Sequence, residues 1–324
     1  MNNTTGLEGS DAEPLAYLIR DGATESVHHG IVAVVDHNGN SLLERGNQRV
    51  PVYPRSTLKP FQTLGVLATG VSLTSVETVL TTASHSGSTR HRDAVAGFLT
   101  RHGLDESHLQ CPVDWPLGAT ERHAMQAEGK PQDRLAMNCS GKHAGFLAAC
   151  QHSGYDLETY LEPDHPLQQL MADTIEDWTG ESISFSSTDG CGAPLHQVSL
   201  HGLARGIARV ALSEDPRAAV LTTALAENPW AIDGEGRANT RTIERLGGVA
   251  KIGAEGLVVI GVPQGIAVAV KVLDGSMRAT TPIALEALRS VGAISTKDRD
   301  ALLDDVSEPV LGGGRVIGGL DVRL

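Results

Sequence analysis

Two stretches rich in β-branched residues, one near each end of the chain, constrain the fold most strongly. The first occupies residues 29–36 and is followed by turn-forming residues at 37–40 and a second apolar stretch at 41–45. The second joins residues 257–261 to residues 266–272 across a Pro-Gln-Gly turn. Short β-branched runs that are bounded by turn residues are typical of β-hairpins. The sequence therefore predicts two hairpins that are separated by most of the chain.

The residues between these hairpins have mainly helical patterns. A helix beginning near Ser140 has small and apolar residues throughout, which predicts that it is buried. Strands at both ends with helices between them favour an α+β fold, in which the hairpins share one antiparallel sheet and the helices pack on it. Because no linker or internal repeat divides the chain, we expect a single domain over residues 15–324. Residues 1–14 are small, polar and acidic and are expected to form a loose tail.

Composition and charge exclude several functional classes. The net charge is -13 at pH 7 and no basic cluster is present, which argues against a nucleic-acid partner. No apolar run has the length of a membrane span, and the first residues do not form a secretory signal. We therefore expect a cytoplasmic protein with no membrane partner. Its four cysteines would then be reduced thiols, available as nucleophiles, metal ligands or core residues.

An extended segment after the first hairpin leads into a Ser-x-x-Lys pair, Ser56 and Lys59. If Ser56 opens a helix, Lys59 lies on the same face three residues later. A serine becomes a nucleophile when a base removes its proton, and a lysine that burial or a cationic neighbour keeps neutral can be that base. A capping serine followed by a surface lysine has the same spacing, so the pair predicts a nucleophile only in company with other motifs.

A second unusual group combines sulfur and nitrogen. Cys139, Lys142 and His143 occur within five residues, and Cys191 lies in a glycine-rich loop. Two thiolates and a nitrogen ligand can hold Zn²⁺ with water in the fourth position, which is the open geometry of a reactive zinc site. The common Cys-x-x-Cys and His-x-x-x-His spacings are absent, so buried structural cysteines are the alternative interpretation.

Further residues could supply a second serine and a second amine. Ser84 and Ser86 lie in a small polar loop, Ala-Ser-His-Ser-Gly. Lys251 and Lys271 each lie beside the carboxy-terminal hairpin, where solvated edge lysines are common. The segment Lys251-Ile252-Gly253 has a form close to the Lys-Thr-Gly strand motif of β-lactamases.

Four segments occur in an order and separation typical of one family. They are Arg-Ser-Thr-Leu-Lys-Pro at 55–60, Ala-Ser-His-Ser-Gly at 83–87, Asn-Cys-Ser-Gly-Lys-His-Ala-Gly at 138–145 and Asp-Gly-Cys-Gly-Ala-Pro at 189–194. Together they resemble the rhizobial-type (class 3) L-asparaginase family, also called asparaginase II. The resemblance implies hydrolysis of L-asparagine to L-aspartate and ammonia, by a homodimer whose fold is similar to serine β-lactamases and glutaminases. The segment 111–116 departs from the pattern Cys-Gly-x-His-x-Pro that this family suggests.

The resemblance also implies two groups of serine and lysine residues. One group supplies the nucleophile and its base, so that a β-aspartyl ester forms, ammonia leaves and water then attacks the ester. The other group relays protons or stabilises charge. The implied residues are Ser56 and Lys59 for the first group, and Ser84 or Ser86 with Lys271, or less favourably Lys251, for the second.

A metal and a substrate pocket follow from the same resemblance. Zn²⁺ would be held by Cys139, Lys142 and Cys191, with water completing the shell. A lysine ligand must lose its proton, so zinc binding should weaken in acid. The residues that could hold the amino and carboxylate groups of the substrate are Arg55, His143 and Asp189, with Arg237 as a further carboxylate-binding arginine.

Two other functions are compatible with these residues. A β-lactam- or peptide-directed serine hydrolase would use the same Ser-Lys pair and would be acylated by a penicillin. A noncatalytic protein on the same scaffold would bind an amino acid or a metal and would not turn over asparagine. Ammonia release from L-asparagine separates an asparaginase from both alternatives.

Overall fold

The computed structural model describes residues 6–324, and the elements below are those of this part of the chain. The strands are β1 (Glu13–Arg20), β2 (Ala23–Asp36), β3 (Ser41–Arg45), β4 (Pro51–Val52), β5 (Ser186–Thr188), β6 (Pro194–His196), β7 (Val198–Ser199), β8 (Val249–Gly253), β9 (Leu257–Val262), β10 (Ile266–Val272), β11 (Val310–Gly312) and β12 (Arg315–Val322). The α-helices are α1 (Lys59–Ala68), α2 (Ser75–Thr82), α3 (Thr89–Arg101), α4 (Ala119–Ala127), α5 (Ser140–Ser153), α6 (Pro166–Thr179), α7 (Leu200–Leu212), α8 (Pro216–Glu227), α9 (Ala238–Leu246), α10 (Thr280–Ser290) and α11 (Thr296–Val306). Short 3-10 helices cover Gly9–Asp11, Arg55–Leu58, Glu106–His108 and Pro229–Ile232.

Strands from both ends of the chain form one antiparallel sheet. Its order is β11-β12-β1-β2-β10-β9-β8, and β3 also pairs with β2. The β2–β3 and β9–β10 hairpins are the two that the sequence predicts, and they are neighbours because β2 pairs with β10 from Gly30↔Val272 to Asp36↔Ile266. The predicted α+β fold is therefore confirmed.

Regular structure begins earlier in the chain than the sequence predicts. The expectation of a loose tail over residues 1–14 is therefore wrong for residues 9–14. A 3-10 turn covers Gly9–Asp11, β1 begins at Glu13, and residues 1–5 lie outside the described residues. The acidic side chains that suggested a tail have partners: the Asn47 amide donates to Asp11 at 2.9 Å, and the Gly46 N–H donates to Glu13 at 3.0 Å. Such long-range partners leave no local sequence signal.

Helices cover the sheet and enclose the core. Helices α7 and α10 both contact β9 and β10, and every residue of β9 is buried, as expected for a strand covered on both faces. Helix α5 begins at Ser140, as predicted, and residues 140–150 are all buried. None of the helices within residues 6–324 has the length and apolar character needed to cross a lipid bilayer.

Close approach of α7 to its neighbours gives a test of this packing. A Cβ atom at Gly206, buried in α7, would lie 2.7 Å from Cζ of Phe61, whereas a Cβ atom at Gly97, exposed in α3, would meet nothing within 4 Å. We expect Gly206→Ala to lower the free energy of unfolding by about 1–3 kcal/mol because the core is overpacked. Gly97→Ala should raise it by roughly 0.5–1 kcal/mol because alanine is the better helix former. Urea denaturation measures both, and equal shifts in the same direction would contradict the packing described.

Candidate active site

Ser56 lies in a tight 3-10 turn, Arg55–Leu58, between β4 and α1. Side chains three residues apart are eclipsed in a 3-10 turn, so Ser56 and Lys59 share a face as predicted, although α1 begins at Lys59. Arg55 has a φ of 52°, a left-handed conformation that is uncommon outside glycine, and such strained residues cluster at functional sites. Ser56 is half-buried, and none of the side-chain hydrogen bonds found within residues 6–324 involves its hydroxyl.

Two lysines from distant parts of the sequence meet around the hydroxyl of Ser84. The Nζ atom of Lys59 lies 3.0 Å from Oγ of Ser84, and the Nζ atom of Lys251 lies 2.8 Å from the same oxygen. Lys59 also donates to the carbonyl oxygen of Ala83 at 2.5 Å and lies 3.2 Å from Sγ of Cys139. Lys59 is 1% exposed and Lys251 is 0% exposed, so both amines are removed from solvent.

The surroundings of the two amines differ. Burial, and then the positive charge of Lys59, lowers the pKa of Lys251 to about 7. Three acceptors surround the amine of Lys59, which suits an ammonium group with three N–H donors. A neutral Lys251 can accept a proton from Ser84 while it donates to the carbonyl oxygen of Ile252 at 2.7 Å. Lys251 is therefore a second candidate for the neutral amine that the sequence assigns to Lys59.

Lys271, which the sequence favours over Lys251, lies away from Ser84. Its amine donates to the carbonyl oxygens of Glu255 at 2.5 Å and Val272 at 2.7 Å. The sheet order explains this difference in position, because β8 is the terminal strand beside the Arg55–Leu58 turn, whereas β10 lies two strands further in. One feature of the sequence could have favoured Lys251. It lies inside a short apolar strand, Val-Ala-Lys-Ile-Gly, whose Lys-Ile-Gly segment has a form close to Lys-Thr-Gly.

The loop between α2 and α3 presents its two serines to different surroundings. Its backbone is fixed by hydrogen bonds from the N–H of Ser84 to the carbonyl of Ile232 at 3.0 Å and from the N–H of Ser86 to the carbonyl of Asp233 at 2.8 Å. The hydroxyl of Ser84 contacts both lysines. The hydroxyl of Ser86 has no partner within the described residues, although Ser86 is only 1% exposed. Of the two serines that the sequence leaves open, the structure brings Ser84 to the amines.

The three predicted zinc ligands lie together beside Lys59. The amine of Lys142 is 2.9 Å from Sγ of Cys191, and Cys139, Lys142 and Cys191 are 4%, 2% and 1% exposed. A hydrogen bond from Cys139, aided by the charge of Lys142, lowers the pKa of the Cys191 thiol strongly. The same hydrogen bond, with burial, raises the pKa of Cys139. Although burial opposes it, the negative charge of Cys191 raises the pKa of Lys142.

This donor set fits Zn²⁺. Within the described residues, no three His, Cys, Asp or Glu side chains come together as a metal site, so a site here needs the lysine as its third ligand. Two sulfur atoms and one amine leave the fourth tetrahedral position for water or substrate. Zinc would have to displace the protons of Cys139 and Lys142, because metal ligands bind in their deprotonated forms.

Two further contacts surround the sulfur cluster, and one of them joins it to the Arg55–Leu58 turn. The Nε atom of Arg55 donates to Oδ1 of Asp189 at 2.8 Å, and Asp189 precedes Cys191 by two residues. The Nδ1 atom of His143 lies 2.7 Å from the hydroxyl of Tyr160, and burial lowers the pKa of His143. Tyr160 is absent from the sequence prediction because it lies in an irregular segment with no motif.

Arg237 is not brought to this group. Its Nε atom donates to Oδ1 of Asp233 at 2.7 Å, four residues earlier in the chain, and its side chain is 39% exposed. The candidate site thus contains one of the two predicted carboxylate-binding arginines, Arg55. Arg237 instead anchors the loop that holds Ser86.

Comparison with known proteins agrees with the motifs that surround Ser84. A family model described as L-asparaginase II matches residues 16–322. The chain belongs to the L-asparaginase II family. No curated protein matches the chain. Membership in the asparaginase II family confirms the resemblance read from the four segments and supports an asparaginase hydrolase with a small-molecule substrate.

Within this asparaginase II chain, the two alternative lysines give a direct test of the site. We expect Lys251→Met to lower kcat/KM for L-asparagine by about 10²–10⁴-fold, because general base catalysis is lost. The comparison variant, Lys271→Met, removes an amine that lines a cleft of ≈ 460 Å³ and donates to two backbone carbonyls away from Ser84, so it should lower kcat/KM far less than Lys251→Met. Initial rates of aspartate formation decide between them, with circular dichroism to verify folding. A larger loss in Lys271→Met would contradict the assignment.

Proposed function

We propose that the chain hydrolyses L-asparagine to L-aspartate and ammonia through an ester on Ser56. The observation that carries this proposal is the buried arrangement of Lys59, Ser84 and Lys251 beside the turn that holds Ser56. A base with a pKa near the working pH is the most effective general base, and Lys251 has that property.

The choice of Ser56 over Ser84 as nucleophile rests on access. The hydroxyl of Ser84 is 8% exposed and is held between two amines, which suits a proton relay. Ser56 is half-buried with a free hydroxyl, and its neighbour Arg55 lines an open cleft of ≈ 460 Å³. A substrate in this cleft would lie beside the turn that holds Ser56.

The proposed reaction has two steps. The oxygen of Ser56 attacks the side-chain amide carbon, its proton passes by way of Ser84 to the neutral amine of Lys251, and the C–N bond breaks as Lys251 returns that proton to the departing nitrogen. Ammonia leaves and the ester remains. Water then attacks the ester, Lys251 takes a proton from the water, and that proton is returned to Ser56 as aspartate is released. Burial and the positive charge of Lys59 together lower the pKa of Lys251.

Substrate recognition is proposed for the ion pair of Arg55 and Asp189. A guanidinium can bind the substrate carboxylate through two parallel hydrogen bonds, and a carboxylate can bind its ammonium group. Zn²⁺ held by Cys139, Lys142 and Cys191 would add a positive charge that can polarise or orient a carboxylate or carbonyl oxygen. The contact of Lys59 with Cys139 connects this zinc site to the amines.

The nucleophile assignment predicts different outcomes for two serine variants. Ser56→Ala should abolish turnover, and no ester should be detected by mass spectrometry after acid quenching with L-asparagine. Ser84→Ala should slow both steps by about 10²–10⁴-fold because the proton relay is lost, but the ester should still form. An ester on Ser84, or full activity in Ser56→Ala, would refute the assignment. Acylation by a penicillin without asparagine turnover would instead favour a β-lactam-directed hydrolase.

The zinc proposal has a matched control on the same helix. Cys139 is the N-cap residue of α5, and Cys150 is buried further along this helix, away from the proposed ligands. Cys139→Ser should lose bound zinc, as measured by elemental analysis of protein prepared without chelator, whereas Cys150→Ser should keep it. Equal zinc in the two variants would exclude Cys139 as a ligand.

A further inference from the structure

Ser86 borders a small cavity next to the proposed catalytic residues. The cavity has a volume of ≈ 270 Å³ and is lined on this side by Ser86 and Gly234. A Cβ atom at Gly234 would lie 3.0 Å from Oγ of Ser86, so the absence of a side chain there leaves room beside this oxygen. Because the buried Ser86 hydroxyl has no partner within residues 6–324, it is free to bind a group in the cavity.

The two basic residues that line the cavity, Arg90 and His91, are respectively paired with a carboxylate and neutral. Arg90 donates to Glu235 at 2.9 Å and lies over the ring of Trp230, with 3.5 Å to the ring centroid. His91 accepts a hydrogen bond from Ser88 at Nδ1 and donates to the carbonyl of Trp230 at 3.2 Å. Burial lowers the pKa of His91 to about 4, so this ring is neutral at physiological pH.

Glu121 supplies the unbalanced charge. Its carboxylate folds back over Gly118 at the start of α4 and lines the cavity. It forms no hydrogen bond and no ion pair within the part of the chain that the structure describes. The cavity therefore combines a free carboxylate with a free hydroxyl, and these two groups favour a small cation that carries N–H or O–H donors. An anion would be repelled by Glu121, and the described residues contain no cluster of three metal-binding side chains for a transition metal.

This cavity is one layer of residues away from the amines. Ser86 follows Ser84 by two residues, and the ring of His91 stacks on the ring of His85 with 5.0 Å between centroids. The charge of Lys59 acts on His85 from the other side. Gly234 follows Asp233, whose charge acts on Lys251.

We propose that the cavity binds ammonium, the nitrogen product of the reaction, through Glu121 and Ser86. This proposal rests on the proposed asparaginase reaction. In that reaction the C–N bond breaks and the nitrogen leaves as ammonia with the proton that came from Ser56. Ammonia then takes up the proton that the new carboxylic acid group of the product releases, and it becomes the cation that the cavity suits. Ammonium in the cavity would act as a product inhibitor.

The test measures the rate of aspartate formation, because added ammonium does not disturb the detection of aspartate. Rates are compared at increasing concentrations of ammonium chloride and at constant ionic strength. Ammonium should inhibit the wild-type chain, and Glu121→Gln should raise the half-inhibitory concentration by about tenfold or more, because a charge-assisted hydrogen bond is lost. The rate without ammonium should be unchanged, because Glu121 is outside the proposed catalytic residues. The control is Glu128→Gln, at the other end of α4, where the carboxylate pairs with Lys130 at the surface. Equal inhibition of wild type and Glu121→Gln, or equal inhibition by potassium chloride, would overturn the proposal.

A binding measurement separates this proposal from the proposed function. Ammonium chloride is titrated into the Ser56→Ala variant, with and without Glu121→Gln, and tryptophan fluorescence is followed because Trp230 lines the cavity. Saturation that depends on Glu121 supports the site even where asparagine is not hydrolysed. Asparagine hydrolysis without Glu121-dependent binding would refute the site and leave the proposed function intact.

Discussion

Two ammonium groups cannot share one buried hydroxyl without strong repulsion, because like charges a few ångströms apart interact strongly away from water. Lys59 and Lys251 both contact Oγ of Ser84, at 3.0 and 2.8 Å, and both are almost fully buried. The arrangement is stable when one amine releases its proton. The pKa of Lys251 is lowered to about 7 by burial and by the charge of Lys59, so Lys251 is the amine that releases it. A neutral lysine near physiological pH is thus a direct consequence of how the chain packs here.

The rest of the site depends on this pair of amines. Lys59 also contacts Cys139, the first of the proposed zinc ligands along the chain. The backbone N–H of Ser84 donates to the carbonyl oxygen of Ile232, which fixes Ser84 between the amines. Terminal strand β8 supplies Lys251, and the 3-10 turn beside it supplies Ser56 with Lys59. The sheet and the start of α5 therefore hold the Arg55–Leu58 turn, the amines and the sulfur cluster in one region. Ser86, in the same loop as Ser84, and Glu121 line a separate cavity, which we propose binds the ammonium product.

Local signals explain what the sequence could predict, and long-range contacts explain what it could not. The two hairpins and the buried helix at Ser140 follow from β-branched runs and from small apolar residues, which act within one element. The choice between Lys251 and Lys271 depends on the position of each strand in the sheet, which neither local sequence contains. The same holds for Ser84 and Ser86, whose surroundings are set by Ile232 and by Gly234 from a distant loop. The motifs identified the family, whereas tertiary structure decided which members of each motif meet.

The pH dependence of kcat/KM for L-asparagine tests the central claim most directly, because this parameter reports the ionisation of groups in the free enzyme. Lys251 must be neutral to accept the proton, so activity should be low in acid and should rise through a midpoint near its pKa of about 7. Initial rates from pH 5 to pH 10, with L-asparagine well below KM, would give this curve. A rise through a midpoint near pH 7, with a fall only at higher pH where the ammonium group of the substrate loses its proton, is the predicted result. A curve that is flat through neutral pH and rises only near the pKa of an ordinary lysine, about 10.4, would contradict a neutral Lys251.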